Sequence, residues 1–396
     1  MNRVYLDSNA TTEILPEVFD VMVPFLKGNF GNPSSSHSLG RVARSAIEEA
    51  REKVALLIGA APSEIIFCSG GSEANNMALK GASWTKPADG KWKAVTSAVE
   101  HSSILKSAEF LPLNGYNHQT ISVDSDGIIL LDELEAALNE NVMLVSVMHS
   151  NNETGTIQPI KEISACVKPR GILMHTDAVQ SAGKVAIDVD EIDVDMLSIS
   201  AHKLHGPKGV GALYLRKGKD IEPLLSGGGH ERGKRAGTEN VAGIVGFGKA
   251  CELAMSEMAK NSAHVTALRD ELERRIFTSI PHLVLNGHSE RRLPNTLNIS
   301  IEGTEGEMLQ IQCDLNGLAV STGSACSSGS TEPSHVLLEM GIPPGLVNSS
   351  IRFSFSKLNT MEDVDFVMGI LPGIIQKARE ASPTWGNAKP IPPMDI

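Results

Sequence analysis

Short apolar, β-rich runs recur through the first half of the chain: EIIFC (64–68), KAVTSAV (93–99), VMLVSVMH (142–149), GILMHTDA (171–178), DMLSIS (195–200) and VGALYLR (210–216). Segments of helical spacing stand between them, among them SEANNMALKGA, LDELEAALN and PIKEISACVK. Near-continuous apolar strands separated by helices predict an α/β fold with a mainly parallel sheet covered on both faces. Such sheets take their ligands at the carboxyl ends of the strands. A long helical stretch over 240–278 follows the last of these strands. Beyond it the units shorten to NTLNISI, GEMLQIQCDLNG, SHVLLEMG and SSIRFSF, followed by a helix from Met361 to Glu380. This change predicts a smaller α+β domain, joined by the N-terminal dozen residues. The expected division is a large domain over 13–257, a small domain from 1–12 and 258–380, and an extended, Pro-rich tail over 381–396.

With 396 residues the chain is too long for one compact core, which agrees with two domains. Aromatic residues are only 4%, a poor supply of stacking platforms for nucleic-acid bases. The net charge is −12 with no Lys/Arg block, which argues against nucleic acid or an anionic membrane as partner. The N-terminal MNRVYLDSNATTEILPE has no apolar segment of signal-peptide type, and no apolar run approaches a membrane span, so a cytoplasmic protein is expected. The five cysteines, Cys68, Cys166, Cys251, Cys313 and Cys326, are scattered and form no C-x-x-C pair. Free thiols in a reducing compartment fit better than disulfides or structural zinc.

Four strand ends carry polar groups to one edge of the sheet. The first predicted strand runs into SGGSEANN, where Gly70, Gly71 and Ser72 open a helix in the manner of an anion site. VMLVSVMHS runs into NNETG, GILMHTDA ends at Asp177 with Gln180 just beyond, and DMLSIS runs into SAHKLHGPKG. Lys203 therefore stands three residues past a buried strand, beside an anion loop, where a lysine suits a Schiff base to a phosphorylated aldehyde. Asp177 is the acid that would face a pyridine nitrogen. Lys208, in the turn GPKGVG, is the rival lysine and reads as structural. His101, past strand 93–99, is a helix-start histidine that could also stack on a planar ring and move protons. GGHERGKR (228–235) begins like a phosphate-binding Walker loop, but Arg235 replaces the magnesium-binding hydroxyl and no compact strand precedes it. His149, His175, His202 and His205 lack the spacing or carboxylate company of a metal site, so no resident metal is expected.

Taken together and in order, YLDSNATT, FGNPSSSHSLG, SGGSEANN, EHSSIL, NNETGTIQPI, HTDAVQSAGK, SAHKLHGPKGVGALYLR, GGGHERGKRAGTEN, LPNTLNIS, GSACSSGSTEPSHVL and SSIRFSFS resemble the cysteine desulfurases of the NifS/IscS group. These belong to the class-V aminotransferases and have the pyridoxal-phosphate transferase fold (fold type I). The resemblance implies an enzyme that converts L-cysteine to L-alanine and carries the sulfur as a persulfide on Cys326, for iron–sulfur cluster assembly. It implies pyridoxal 5'-phosphate bound covalently to Lys203. Asp177 would pair with the ring nitrogen, Gln180 and Asn152 would lie beside the phenolic oxygen, and His101 would stack on the ring and act as acid–base. Gly71, Ser72, Ser200 and His202 would bind the phosphate, and Thr238 would reach the phosphate site of a neighbouring subunit in a homodimer. Asn32, Asn152 and Arg352 would hold the substrate carboxylate. The tail SPTWGNAKP resembles a segment that docks an iron–sulfur scaffold protein as sulfur acceptor, and transient cluster ligation by Cys326 is left open. Ser72 stands where the family more often has Thr, and Ala201 where it has Gly. Alternatives are a selenocysteine lyase or a sulfur donor for thionucleoside synthesis. An aminotransferase has no use for the thiol in STGSACSSG, whose small neighbours leave Cys326 accessible, while the other four cysteines sit in strand or helix patterns as small hydrophobes.

Overall fold

The computed structural model describes residues 3–85, 92–322, 332–382 and 385. Its main sheet has seven strands in the order Ile65–Cys68, Gly211–Leu215, Met196–Ser200, Leu173–Asp177, Val142–Ser146, Lys93–Ser97, Asn117–Ile121. Gly211–Leu215 runs antiparallel to both its neighbours, and the remaining pairings are parallel. The other strands therefore point one way, and their carboxyl ends share one edge. All six apolar runs form strands. Two of them leave the sheet early, after Ser97 and Ser146, so that residues 98–99 and 147–149 continue outside it, buried. The sequence reading did not foresee Asn117–Ile121; it lies on the sheet's edge, where the run NHQTI is mostly polar and only Ile121 is buried.

The segment after Gly70 is a helix from Gly71 to Trp84, wound as a π-helix over Met77–Gly81. The long helix is Val241–Ser279. Its first turns, including Ile244, Phe247, Ala250 and Cys251, pack into the core that covers the main sheet. Further along, Val265, Leu268, Leu272 and Ile276 pack into a second core. That second core lies on an antiparallel sheet, Ser350–Ser354, Thr296–Ile301, Leu283–Leu285, and is closed by the helices Gly306–Leu315 and Met361–Ala381. The N-terminal strand Val4–Tyr5 pairs with Leu318–Ala319, and Val4 and Leu6 are buried in the second core. The chain then crosses to the main sheet edge, which brings Asn9 and Ala10 over the site. Among the described residues no helix is long and apolar enough to cross a membrane.

Candidate active site

The turn that leaves Ile65–Cys68 is shaped by glycine. Gly70 has φ +151°, a conformation L side chains avoid, and a Cβ on Gly71 would lie 2.6 Å from Val179 Cγ2. A Cβ on Gly211 would lie 2.7 Å from the Gly70 Cα, so the two backbones touch. This close approach brings the start of helix Gly71–Trp84 onto Ser200 at the end of the neighbouring strand. Ser200 Oγ is buried and has no hydrogen-bond partner. A dry hydroxyl beside the amides of a helix start is a donor set for an anionic oxygen. The residues present thus fit a phosphate group.

Lys203 follows Ser200 in the short turn Ala201–Lys203, and its Nζ donates to the carbonyls of Asn9 (2.5 Å) and Ala10 (2.9 Å). Gln180 Nε2 donates to the same Asn9 carbonyl at 2.9 Å, which places Gln180 and Lys203 side by side. Asp177 is buried at its strand end, where Oδ1 accepts from the Val179 N–H (2.9 Å) and Oδ2 from Asn75 Nδ2 (2.6 Å). His101 caps the helix Ser102–Glu109, and its Nδ1 accepts from the Ser103 N–H at 3.1 Å. Burial holds its pKa below the ordinary imidazole value; the charges of Lys203 and His335 push the same way, and Asp177 opposes them. His202 is pushed down to about 4 by burial and by Lys203 and Lys208, so it stands neutral at pH 7. Lys208 itself is exposed in its turn.

Arg352 lies in the central part of strand Ser350–Ser354 and is almost wholly buried. Nη1 donates to the Asn152 carbonyl (2.9 Å) and Nη2 to Asp7 Oδ1 (2.7 Å), while Nε is buried without a partner. The backbone of Arg352 pairs with Ser321, a few positions before Cys326 in the sequence. Cys326 lies outside the described residues, as do Gly323 to Thr331 around it. The tail expected to dock a scaffold falls largely outside them too; of 383–396 only Trp385 is described, with Arg379 4.2 Å above its ring.

Asp177, Gln180, Ser200, His202, Lys203, His101, Gly71 and Asn152 thus gather where the main-sheet strands end, and Arg352 reaches them from the second sheet through the Asn152 carbonyl. Ser72, Asn32 and Thr238 are exposed on the single chain, and no bond ties their side chains to this group among the described residues. Sequence reasoning passed over Asn75, Ser103, Glu100, Asp7 and Lys184. Asn75 was in view, inside SGGSEANN, and one helical turn from Gly71 was the available signal. Glu100 precedes His101; burial drives its carboxyl up to about 8, helped by the charge of Asp177 and opposed by bonds from Ser97 and the Met148 N–H. Lys184 bonds to Asn9 and Gln180 and is pushed down to about 7 by burial and by the charges of Lys203 and Arg352.

The loop GGHERGKR is a brace. Glu231 accepts from both Arg51 terminal nitrogens at 2.8 Å and from the Phe67 N–H at 2.8 Å, all buried. His175 bonds to Ser146 and Ser198, and among the described residues no group of three or more His, Cys, Asp or Glu gathers as a metal site. Burial raises the thiols of Cys68 and Cys313 to about 12, and raises those of Cys251 and Cys166 as well.

The aminotransferase class-V family model matches residues 4–367. The chain belongs to that family. A cysteine desulfurase IscS of Dictyoglomus turgidum is 51% identical over 381 residues, 96% of each chain. A solved NifS-like protein has a TM-score of 0.87 at 39% identity, covering 96% of this chain and 98% of its own. A structure of SspA in complex with cysteine has a TM-score of 0.79 at 34% identity, covering 90% of this chain and 99% of its own. Within the class-V family the chain is therefore a cysteine desulfurase of the NifS/IscS group, with the mixed, mostly parallel sheet of fold type I.

Proposed function

We propose that this desulfurase binds pyridoxal 5'-phosphate through Lys203 and passes the sulfur of L-cysteine to Cys326. The observation that carries the reading is the partnerless Ser200 hydroxyl, set between the Gly70–Gly71 turn and Lys203 at the edge where Asp177 also ends. Bound there, the cofactor supplies an electron sink for negative charge at the amino acid's α-carbon. Gly71, Ser72, Ser200 and His202 hold the phosphate, with Thr238 contributed across a homodimer. Asp177, fixed by Asn75 and the Val179 N–H, keeps the ring nitrogen protonated. Asn152 and Gln180 flank the ring. Lys203, beside two carbonyls, holds the cofactor and then moves the α-proton. His101, kept neutral by burial, stacks on the ring and serves in acid–base steps. Arg352, with Asn152 and Asn32, takes the substrate carboxylate; a partnerless buried Nε and two engaged terminal nitrogens suit a fork that exchanges Asp7 for substrate.

In the transfer, the C–S bond of cysteine breaks as an S–S bond forms on Cys326. The substrate leaves as alanine, and the loop thiol becomes a persulfide, with no outside oxidant. The low thiol acidity of the four other cysteines supports Cys326 as acceptor. The same reading includes a cytoplasmic homodimer that delivers sulfur to an iron–sulfur scaffold through the tail. It also divides the chain near residue 257, supported by the changeover of cores along Val241–Ser279 between Cys251 and Val265. Purified protein should be yellow. Borohydride reduction followed by peptide mass analysis should put the cofactor on Lys203, and Cys326→Ala should stay yellow while releasing no sulfide. Cofactor on another lysine, or sulfide release by Cys326→Ala at the wild-type rate, refutes the assignment.

A further inference from the structure

The polar side-chain bonds of Asn75 and Ser103 all lead toward His101 or Asp177. The Asp177 carboxylate only accepts, so the Asn75 amide nitrogen must face it, at 2.6 Å. The second hydrogen of the same nitrogen reaches Ser103 Oγ at 2.8 Å. Ser103 Oγ is thereby the acceptor from Asn75, and its own hydrogen is left for His101 Nδ1, 2.8 Å away. The Ser103 backbone N–H also donates to Nδ1, at 3.1 Å. A ring nitrogen that accepts from two donors has no place for a proton of its own.

We infer that Asn75 and Ser103 are positioning residues that lock His101 as the Nε2–H tautomer, through a one-way chain of hydrogen bonds anchored on Asp177. Protonating Nδ1 would break two bonds and set the Ser103 N–H against a cation. The charged and titratable groups that face the ring are Asp177, Lys203 and His335. Asp177 favours the imidazolium, and the other two oppose it. His335 is itself held by the Glu100 carbonyl at 3.0 Å, and the Glu100 carboxyl, raised to about 8, is largely neutral at pH 7. The chain therefore presents a donor, not a base, on the free edge of the ring. The catalytic meaning of this donor rests on the role proposed for His101, whereas the tautomer is a property of the fold.

The test uses the full-length holoenzyme with 15N-labelled histidine, whose two-bond 1H–15N spectra separate the two neutral tautomers; His101→Gln assigns the signal. Wild type should show Nε2–H across neutral pH. Ser103→Ala, which removes one donor to Nδ1, should shift the protonation equilibrium of His101 about three- to tenfold toward imidazolium. Ser103→Thr, which keeps the hydroxyl, should restore the wild-type titration. An Nδ1–H ring in wild type, or an unmoved titration in Ser103→Ala, overturns the inference. If Ser103→Ala does not fold, the wild-type tautomer decides the question alone. A missing desulfurase activity alongside an Nε2–H ring counts against the proposed role of His101 and leaves the lock standing.

Discussion

Glu100→Gln isolates a buried proton beside the site. Glu100 Oε1 accepts from Ser97 Oγ (2.5 Å) and the Met148 N–H (2.7 Å), while Oε2 is buried with no partner. Burial, with Asp177 nearby, raises the carboxyl from 4.5 to about 8. The folded state thus holds its proton more tightly than the unfolded state, so stability falls as pH rises between those two values. For one such group, linkage gives a loss on the order of 3 kcal/mol between about pH 5.5 and about pH 8.5. Glutamine has the shape of the neutral acid and does not titrate. Other titrating groups, including Glu153, which burial raises to about 7, are shared by both proteins and cancel in the difference. Urea unfolding at several pH values should therefore show the variant gaining on wild type by about 3 kcal/mol across that window. Parallel stability curves would mean that Glu100 is charged throughout, and the account of its burial would fail.

Arg352→Lys keeps the charge but loses the fork that reaches Asn152 and Asp7; KM for cysteine should rise about tenfold or more while the visible spectrum is kept, as steady-state kinetics would read. Glu231→Ala strands the buried Arg51 guanidinium and the Phe67 N–H, and should cost about 3–5 kcal/mol in chemical denaturation, with Arg51→Met in the same chain recovering part of the loss. Gly70→Ala forces a side chain into φ +151°, at a strain of about 1–3 kcal/mol. Because the strained turn faces Ser200, cofactor titration should show weaker binding in that variant, and unchanged affinity would detach the turn from the phosphate site.

The positions of the central strands are the clearest case of what a linear reading can reach. Six apolar runs announced six strands because a strand covered on both faces has to be apolar along its length. Their ends announced the site because ligands collect where parallel strands stop. Gly70, Asp177 and Lys203 were legible for the same reason: each stands at the end of such a run or a few residues past it. Asn117–Ile121 was illegible, since an edge strand needs no continuous apolar signal. Ser103, Glu100 and Asp7 were illegible as site residues because their types are common and what they serve is set by folding; Asp7 meets Arg352 only across 345 positions.

Local composition thus determined the alternation of elements, the family-like order of motifs and the residues able to carry charge or a covalent bond. The three-dimensional packing alone decided which of those groups lost their water. Burial turned Glu100 into an acid that keeps its proton at pH 7, lowered Lys184 to about 7, and aligned Asn75 and Ser103 behind His101. Desolvation and hydrogen-bond direction depend on neighbours brought together by folding, and no stretch of sequence contains them.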